Sequence, residues 1–209
     1  MLAMSIGGIL TFESMATLQA RDNIALDRPY TLSHKGNYEL CTDPDDVTQL
    51  TDGAYSPPGR RSADGLESPN IWSMESAVGW VDVSPVIIEI DLGNSQPISG
   101  ISFSTAARLA AGVEWPKKLL IFVSDDGSNW RFLGDLMTLS AVNGKPPETG
   151  RYRFATNDLH AKGQYVSVAF IPSTRYAFCD EIEIYSAPNT VPDQTGPTTD
   201  DLREFIKSH

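Results

Sequence analysis

Apolar and polar residues alternate with a period of two in several short stretches of the chain, each bounded by turn-forming residues. The clearest example is residues 166–170, Val-Ser-Val-Ala-Phe, and residues 181–185 repeat the pattern with Ile182 and Ile184. Such alternation is typical of β-strands that bury one face. Further strands are predicted at 86–92, 98–104, 119–123, 130–136 and 151–154.

The spacing of these elements predicts the fold class. The stretch from Asn23 to Ala187 contains many short strands separated by Gly, Pro and Asp turns, and it shows no convincing long helix. Regular short strands with such turns favour an all-β domain, an antiparallel jelly-roll β-sandwich.

The two ends of the chain differ from this central region. Residues 1–22 are predicted to be a leader or signal-like segment, because they open on an apolar run and carry small residues from Ala16 to Ala20. Their lack of any Lys or Arg before Arg21 departs from a standard signal peptide. Residues 23–187 form the predicted sandwich, and residues 188–209 a Pro- and Thr-rich linker followed by the start of an amphipathic helix.

Charge and composition narrow the range of partners. The formal net charge is -11 for 209 residues. Nucleic-acid binding requires a basic face, so an acidic chain of this kind argues against it. The N-terminal apolar run is too short for a bilayer span and is interrupted by Glu13, so no membrane insertion is predicted.

The sequence contains no residue pattern that is typical of catalysis or of transition-metal binding. His34, His160 and His209 are scattered, and neither a nucleophile elbow nor a phosphate-binding glycine loop is present in the sequence. The sequence therefore predicts no enzyme. Cys41 and Cys179 match no zinc or redox motif. They are either two buried thiols or a bridge across the domain, and we predict that they lie close enough to bridge.

The order of strand and turn motifs resembles the discoidin family, also called F5/8 type C, within the galactose-binding-like sandwiches. Five segments in the expected order carry the resemblance: Asn23–Ala25 with Pro29–Leu32, the Asp-Gly loop Leu50–Gly53, Trp72, the strand Ile88–Gly93, and the hairpin Val123–Gly127 with Trp130. Residues 55–70 depart from the family pattern as a polar insertion.

The resemblance implies a structural calcium ion between the Asp-Gly loop and the final strand. Ca²⁺ takes six to eight oxygen ligands, and carbonyls of a tight loop supply several of them. By this resemblance Asp52 and Glu181 give side-chain oxygens, and Gln49, Ala54 and Asp180 give main-chain oxygens.

The resemblance also implies a function. Similar domains bind sugars through loops at one end of the sandwich, which predicts a noncatalytic carbohydrate-binding module in a larger secreted or cell-surface, polysaccharide-degrading protein. The predicted partners are a glycan or polysaccharide and a catalytic domain in the same parent protein. The predicted ligand-binding residues are Arg108, Trp80, Trp115 and Tyr176. The alternative is a discoidin module that binds a protein or cell surface through a flat apolar patch.

Overall fold

A computed structural model describes residues 22–41, 43, 47–57, 59, 70–188 and 195–208 of the chain. The predicted leader, apart from Asp22, and most of the polar insertion lie outside the described residues. Within the described part, no helix is long and apolar enough to cross a membrane.

In the described residues, ten strands and two short α-helices make up the regular structure, together with three single-turn 3-10 helices. In chain order the strands and α-helices are β1 (Tyr30–Leu32), β2 (Val78–Val81), β3 (Val86–Arg108), β4 (Lys118–Ser124), β5 (Trp130–Asp135), α1 (Leu136–Leu139), β6 (Thr149–Thr156), β7 (Ala161–Ile171), β8 (Tyr176–Cys179), β9 (Glu181–Ser186), β10 (Thr198–Thr199) and α2 (Leu202–Ser208). Every ladder between paired strands is antiparallel. The all-β, antiparallel prediction is confirmed.

The long strand β3 belongs to both layers of the sandwich. Its first part pairs with β1 and β7, and the order β1-β3-β7-β4-β5-β10 forms one layer. The register shifts between Asp91 and Gln96, and the second part of β3 then lies between β6 and β9. The two layers face each other across the main core, where the rings of Phe103 (β3) and Phe170 (β7) meet edge to face at 5.5 Å.

The start of the folded region lies beside its last long strand. Asn23 forms a β-bridge with Tyr185, and the backbone N–H of Ile24 donates to the carbonyl of Ile184 at 2.8 Å. The first and last parts of the sandwich domain therefore lie side by side.

No disulfide joins the two cysteines, and the predicted bridge between them is wrong. Cys41 packs with Ile71 and Phe178 in a small cluster at one end of the sandwich, whereas Cys179 belongs to the main core. The Sγ of Cys41 donates to the carbonyl of Ile71 at 3.3 Å, and burial raises the pKa of this thiol to about 11. The interpretation as two buried thiols is the one that the structure supports.

The C-terminal segment packs onto the sandwich. The carbonyl of Pro197 accepts from the N–H of Phe132 at 2.8 Å, and β10 extends the sheet beyond β5. Helix α2 follows, and its Leu202 and Ile206 are buried against a second apolar cluster on the outer face of the first layer. The predicted amphipathic helix is present, and the folded unit extends past the predicted boundary at Ala187.

We expect the contact of α2 with the sheet to contribute measurably to stability. Ile206→Ala should lower the free energy of unfolding by about 2 kcal/mol, because it removes buried methyl groups and leaves a gap under the helix. Denaturant unfolding measures this change. Arg203→Ala, at an exposed position of the same helix, is the control and should change stability little. Equal effects of the two substitutions would show that the helix is only loosely attached.

Candidate functional site

A tight loop at the end of β3 shapes one end of the sandwich. Arg108 and Val113 form a two-residue bridge through N–H to carbonyl bonds of 2.8 and 3.2 Å. Gly112 closes the turn with φ near 70°, a conformation that costs glycine nothing and other residues more. Thr174 fixes the loop from the other side, since its hydroxyl donates to the carbonyl of Gly112 at 2.9 Å. The loop projects Leu109, whose side chain is 62% exposed.

A pocket of about 430 Å³ lies beside this loop. It is built from three stretches that are far apart in the sequence and meet only in the fold. The lining residues are Ala107, Leu109, Glu114, Trp115, Pro116, Glu148 and Ser173.

Trp115 gives this pocket a fixed aromatic wall. Its indole N–H donates to the carbonyl of Pro147 at 2.8 Å, and its main-chain carbonyl accepts from the hydroxyl of Ser173 at 2.8 Å. Its ring meets those of Tyr152 and Phe154 edge to face at 6.0 and 5.7 Å. The ring is half-buried and held from one side, so its orientation is set before any ligand arrives.

The charged residues of the pocket are two exposed carboxylates. Glu114 and Glu148 line it, and no Lys, Arg or His of the described residues does so. Carboxylate oxygens accept hydrogen bonds from hydroxyl or ammonium groups and repel anions. An aromatic face beside such acceptors suits a neutral or positively charged sugar, whose ring has an apolar face and a rim of donors.

Arg108 lies at the base of the loop, and it is not among the residues that line the pocket, although both of its neighbours are. It is half-buried, and its backbone forms the bridge with Val113. Its role as a sugar ligand stays a prediction. The ligand-binding residues predicted from the sequence do not include Leu109, Glu114, Glu148 or Ser173.

Trp80 is in the main core, and its prediction as a ligand-binding residue is wrong. Its side chain is completely buried, and its indole N–H donates to the carbonyl of His34 at 2.8 Å. The strand β2 pairs with β8 and turns this ring inward, so the ring presents no face to a ligand.

Tyr176 borders the pocket loop without lining the pocket. Its ring packs edge-on against Tyr38 at 6.0 Å, and the guanidinium of Arg175 lies over it at 5.4 Å. A Cβ atom at Gly112 would approach the ring within 3.8 Å, so the ring supports the loop from behind.

A second constellation joins the Asp-Gly loop to the start of β9. The N–H of Gly53 donates to Glu181 Oε2 at 3.1 Å, and the N–H of Ser56 donates to Asp180 Oδ2 at 2.9 Å. The carbonyl of Leu50 accepts from the N–H of Ile182 at 2.7 Å. The φ of 76° at Gly53 lets the loop turn back toward the strand.

Two carboxylate oxygens in this constellation are buried without a partner. Asp180 and Glu181 are both fully buried, and neither Asp180 Oδ1 nor Glu181 Oε1 has a hydrogen-bond partner among the described residues. Burial, followed by the nearby charge of Asp52, raises the pKa of Glu181 to about 9. Unpaired buried carboxylate oxygens are costly, and a hard cation is the group that would satisfy both.

Two of the other predicted calcium ligands, Asp52 and Gln49, make hydrogen bonds with residues close to them in the sequence. The exposed carboxylate of Asp52 accepts from the N–H of Ala54 at 2.7 Å, and the amide of Gln49 donates to Asp43 Oδ2 at 2.9 Å. The described residues contain no group of three or more acidic, His or Cys side chains that could hold a metal. A cation at this place would therefore depend on main-chain carbonyls, such as those predicted for Gln49 and Ala54.

The antiparallel sandwich, with a pocket at the end of its strands, defines a β-sandwich binding domain. The chain belongs to the F5/8 type C domain family, whose model matches residues 46–182. The predicted membership is confirmed. No curated protein sequence matches the chain.

Several solved structures have a similar fold. CpGH89CBM32-6 of Clostridium perfringens is 19% identical with a TM-score of 0.45, and the match covers 79% of this chain and all of that one. Chitosan-binding module 1 of a chitosanase/glucanase from Paenibacillus sp. IK-5 is 18% identical with a TM-score of 0.47, over 79% of this chain and 99% of that one. A Streptococcus pneumoniae fucose-binding module is 16% identical with a TM-score of 0.48, over 80% and 99%. At these values the similarities carry no information about the ligand of this chain.

Proposed function

We propose that this domain is a noncatalytic carbohydrate-binding module that holds a glycan in the loop-end pocket beside Trp115. The observation that carries the proposal is the preset indole ring at the wall of a pocket that is also lined by the carboxylates of Glu114 and Glu148. Membership of the F5/8 type C family is consistent with a binding role.

The pocket chemistry sets the kind of glycan. Glu114 and Glu148 favour neutral or amino sugars over anionic ones, because an anion would enter against two like charges. The pocket is shallow and open, so little of a ligand would be buried and a single site would bind weakly. Several sites on one polymer, or a tether to another domain, would then supply the avidity.

We propose that the domain works at or outside the cell surface and tethers an attached catalytic domain to its polysaccharide. The signal-like residues 1–22 and the Pro- and Thr-rich stretch from residue 188 support this arrangement.

We also propose that Asp180 and Glu181, with Asp52 and carbonyls of the Asp-Gly loop, hold a structural Ca²⁺. The two unpartnered carboxylate oxygens support the proposal. The ion would fix the loop to β9 and would take no part in chemistry on a ligand.

Trp115→Ala is expected to lower glycan affinity about tenfold or more, because the stacking face of the pocket is lost. Calorimetry against neutral and amino-sugar oligosaccharides measures it. Leu109→Ala should also weaken binding. Leu40→Ala is its matched control, since the two leucines are 62% and 61% exposed and Leu40 does not line the pocket.

A further substitution, measured in the same titrations, tests the role predicted for Arg108. Arg108→Gln should reduce binding if its guanidinium reaches the sugar from the base of the loop, and should leave it unchanged if the pocket acts alone. Absence of heat with every glycan, together with capture of a specific protein partner that depends on Leu109, would favour the protein-binding alternative.

A further inference from the structure

A second pocket, of about 340 Å³, lies on the outer face of the layer formed by β6, β3 and β9. Its lining residues are Tyr55, Ser104, Arg151, Tyr152 and Arg153. Arg151 and Arg153 are two positions apart on β6, so both side chains leave the same face of the sheet. The loop that follows the Asp-Gly turn brings Tyr55 over this face.

The guanidinium of Arg153 is held in place. One of its nitrogens, Nη1, donates to the hydroxyl of Tyr55 at 3.0 Å and to Glu183 Oε2 at 3.2 Å. The hydroxyls of Ser102 and Tyr185 also donate to Glu183, which fixes the carboxylate. The Arg153 side chain is nevertheless 53% exposed, and among the described residues its other N–H groups have no partner.

Arg151 supplies a second, uncompensated positive charge. It is half-buried, and within the described part of the chain its side chain makes no hydrogen bond and no ion pair. Glu183 balances Arg153 only, so the pocket is positive although the whole chain carries a formal charge of -11. Two guanidinium groups on one face favour an anion, and their planar forks match a carboxylate.

We propose that this pocket binds the carboxylate of a uronic-acid residue in an acidic polysaccharide. Arg151 and Arg153 pair with the carboxylate, and the ring of Tyr55, which is 37% exposed, contacts the sugar ring. Hydrogen bonds to a charged group are stronger than neutral ones, so the carboxylate is the main determinant of affinity. The charge of this pocket is positive, whereas the loop-end pocket is lined by the carboxylates of Glu114 and Glu148.

The test is calorimetric titration of the full chain with oligogalacturonate, oligomannuronate and a hyaluronan hexasaccharide. Binding of at least one, weakening with added salt, is expected. Arg151→Gln should lower the affinity about tenfold or more, and Arg151→Lys should restore part of it. Arg175→Gln is the control, because Arg175 is an exposed arginine that pairs with Asp82 away from this pocket.

Three results would overturn the proposal. They are absence of binding to all three uronate probes, unchanged affinity in Arg151→Gln, and equally tight binding of inorganic sulfate, which would show a plain anion site. Leu109→Ala separates this proposal from the proposed function, because Leu109 lines the loop-end pocket and does not line this one. It should weaken binding of neutral or amino-sugar glycans and leave uronate binding unchanged, so each site can fail without the other.

Discussion

Trp80→Ala is expected to lower the free energy of unfolding by about 3–5 kcal/mol, the range for removing a large aromatic side chain from a core. The side chain is fully buried, and the substitution also leaves the carbonyl of His34 without its indole donor. Chemical denaturation followed by fluorescence or circular dichroism measures the loss. Trp80→Phe keeps part of the packing volume and should lose less.

Trp115→Ala is the comparison for this experiment. Its half-exposed ring contacts Tyr152 and Phe154 on one side only, so the expected loss of stability is about 1–2 kcal/mol. The two substitutions should therefore have different main effects. Trp80→Ala should mainly lower stability, and Trp115→Ala should mainly lower glycan affinity. A Trp80→Ala variant that melts like the wild type and loses glycan binding would contradict the placement of Trp80 in the core.

Removal of calcium should lower the melting temperature. An ion that binds only the folded state at 100 times its Kd adds about 2.7 kcal/mol. For a domain of this size that corresponds to roughly 5–10 °C. The physical reason is the pair of buried oxygens on Asp180 and Glu181, which the described residues leave unpartnered. Thermal melts in EDTA and in excess Ca²⁺ measure the difference.

Glu181→Gln separates a calcium effect from a general effect of chelator. In EDTA at neutral pH the variant should melt close to the wild type, because a pKa of about 9 keeps the Glu181 carboxyl protonated and the substitution replaces one neutral group with another. Added Ca²⁺ should then raise its melting temperature little. Glu75→Gln, at an exposed position, is the control and should keep the full calcium response. An identical wild-type melt with and without Ca²⁺ would refute the ion site.

The sequence predicted the strands better than it predicted the site. Period-two alternation and turn residues are local signals, so residues 166–170 and 181–185 were assigned correctly to β7 and β9. The loop-end pocket joins residues near 108, 115, 148 and 173, and no local pattern connects these positions. The family resemblance indicated Trp115 as a ligand-binding residue, whereas no sequence pattern indicated Glu148 or Ser173.

The error at Trp80 has a specific cause. The prediction for Trp80 assumed that this residue lies in a loop, where the resembled domains place their sugar contacts. Val78 and Trp80 are nevertheless two positions apart, which places both on one face of a strand, and both are buried. Four residues are too short a stretch for that alternation to stand out.

The sequence contains a signal that some segment must cover the outer face of the first layer. The runs Val86–Ile88 and Leu119–Val123 are apolar without alternation, which indicates strands that are buried on both faces. Helix α2 is what buries the outer face, with Ile87, Leu120 and Phe122 beneath it. The sequence alone could not show which segment would supply that cover.

The strand β10 has a practical consequence for anyone who expresses or fuses this domain. An unpaired outer strand offers a row of free backbone donors and acceptors that recruits other chains into aggregates. Thr198 and Thr199 occupy that edge of β5, and α2 covers the adjoining apolar surface. A protein that ends at Ala187, the predicted end of the sandwich, should therefore be prone to self-association. A protein that extends to residue 208 should remain soluble.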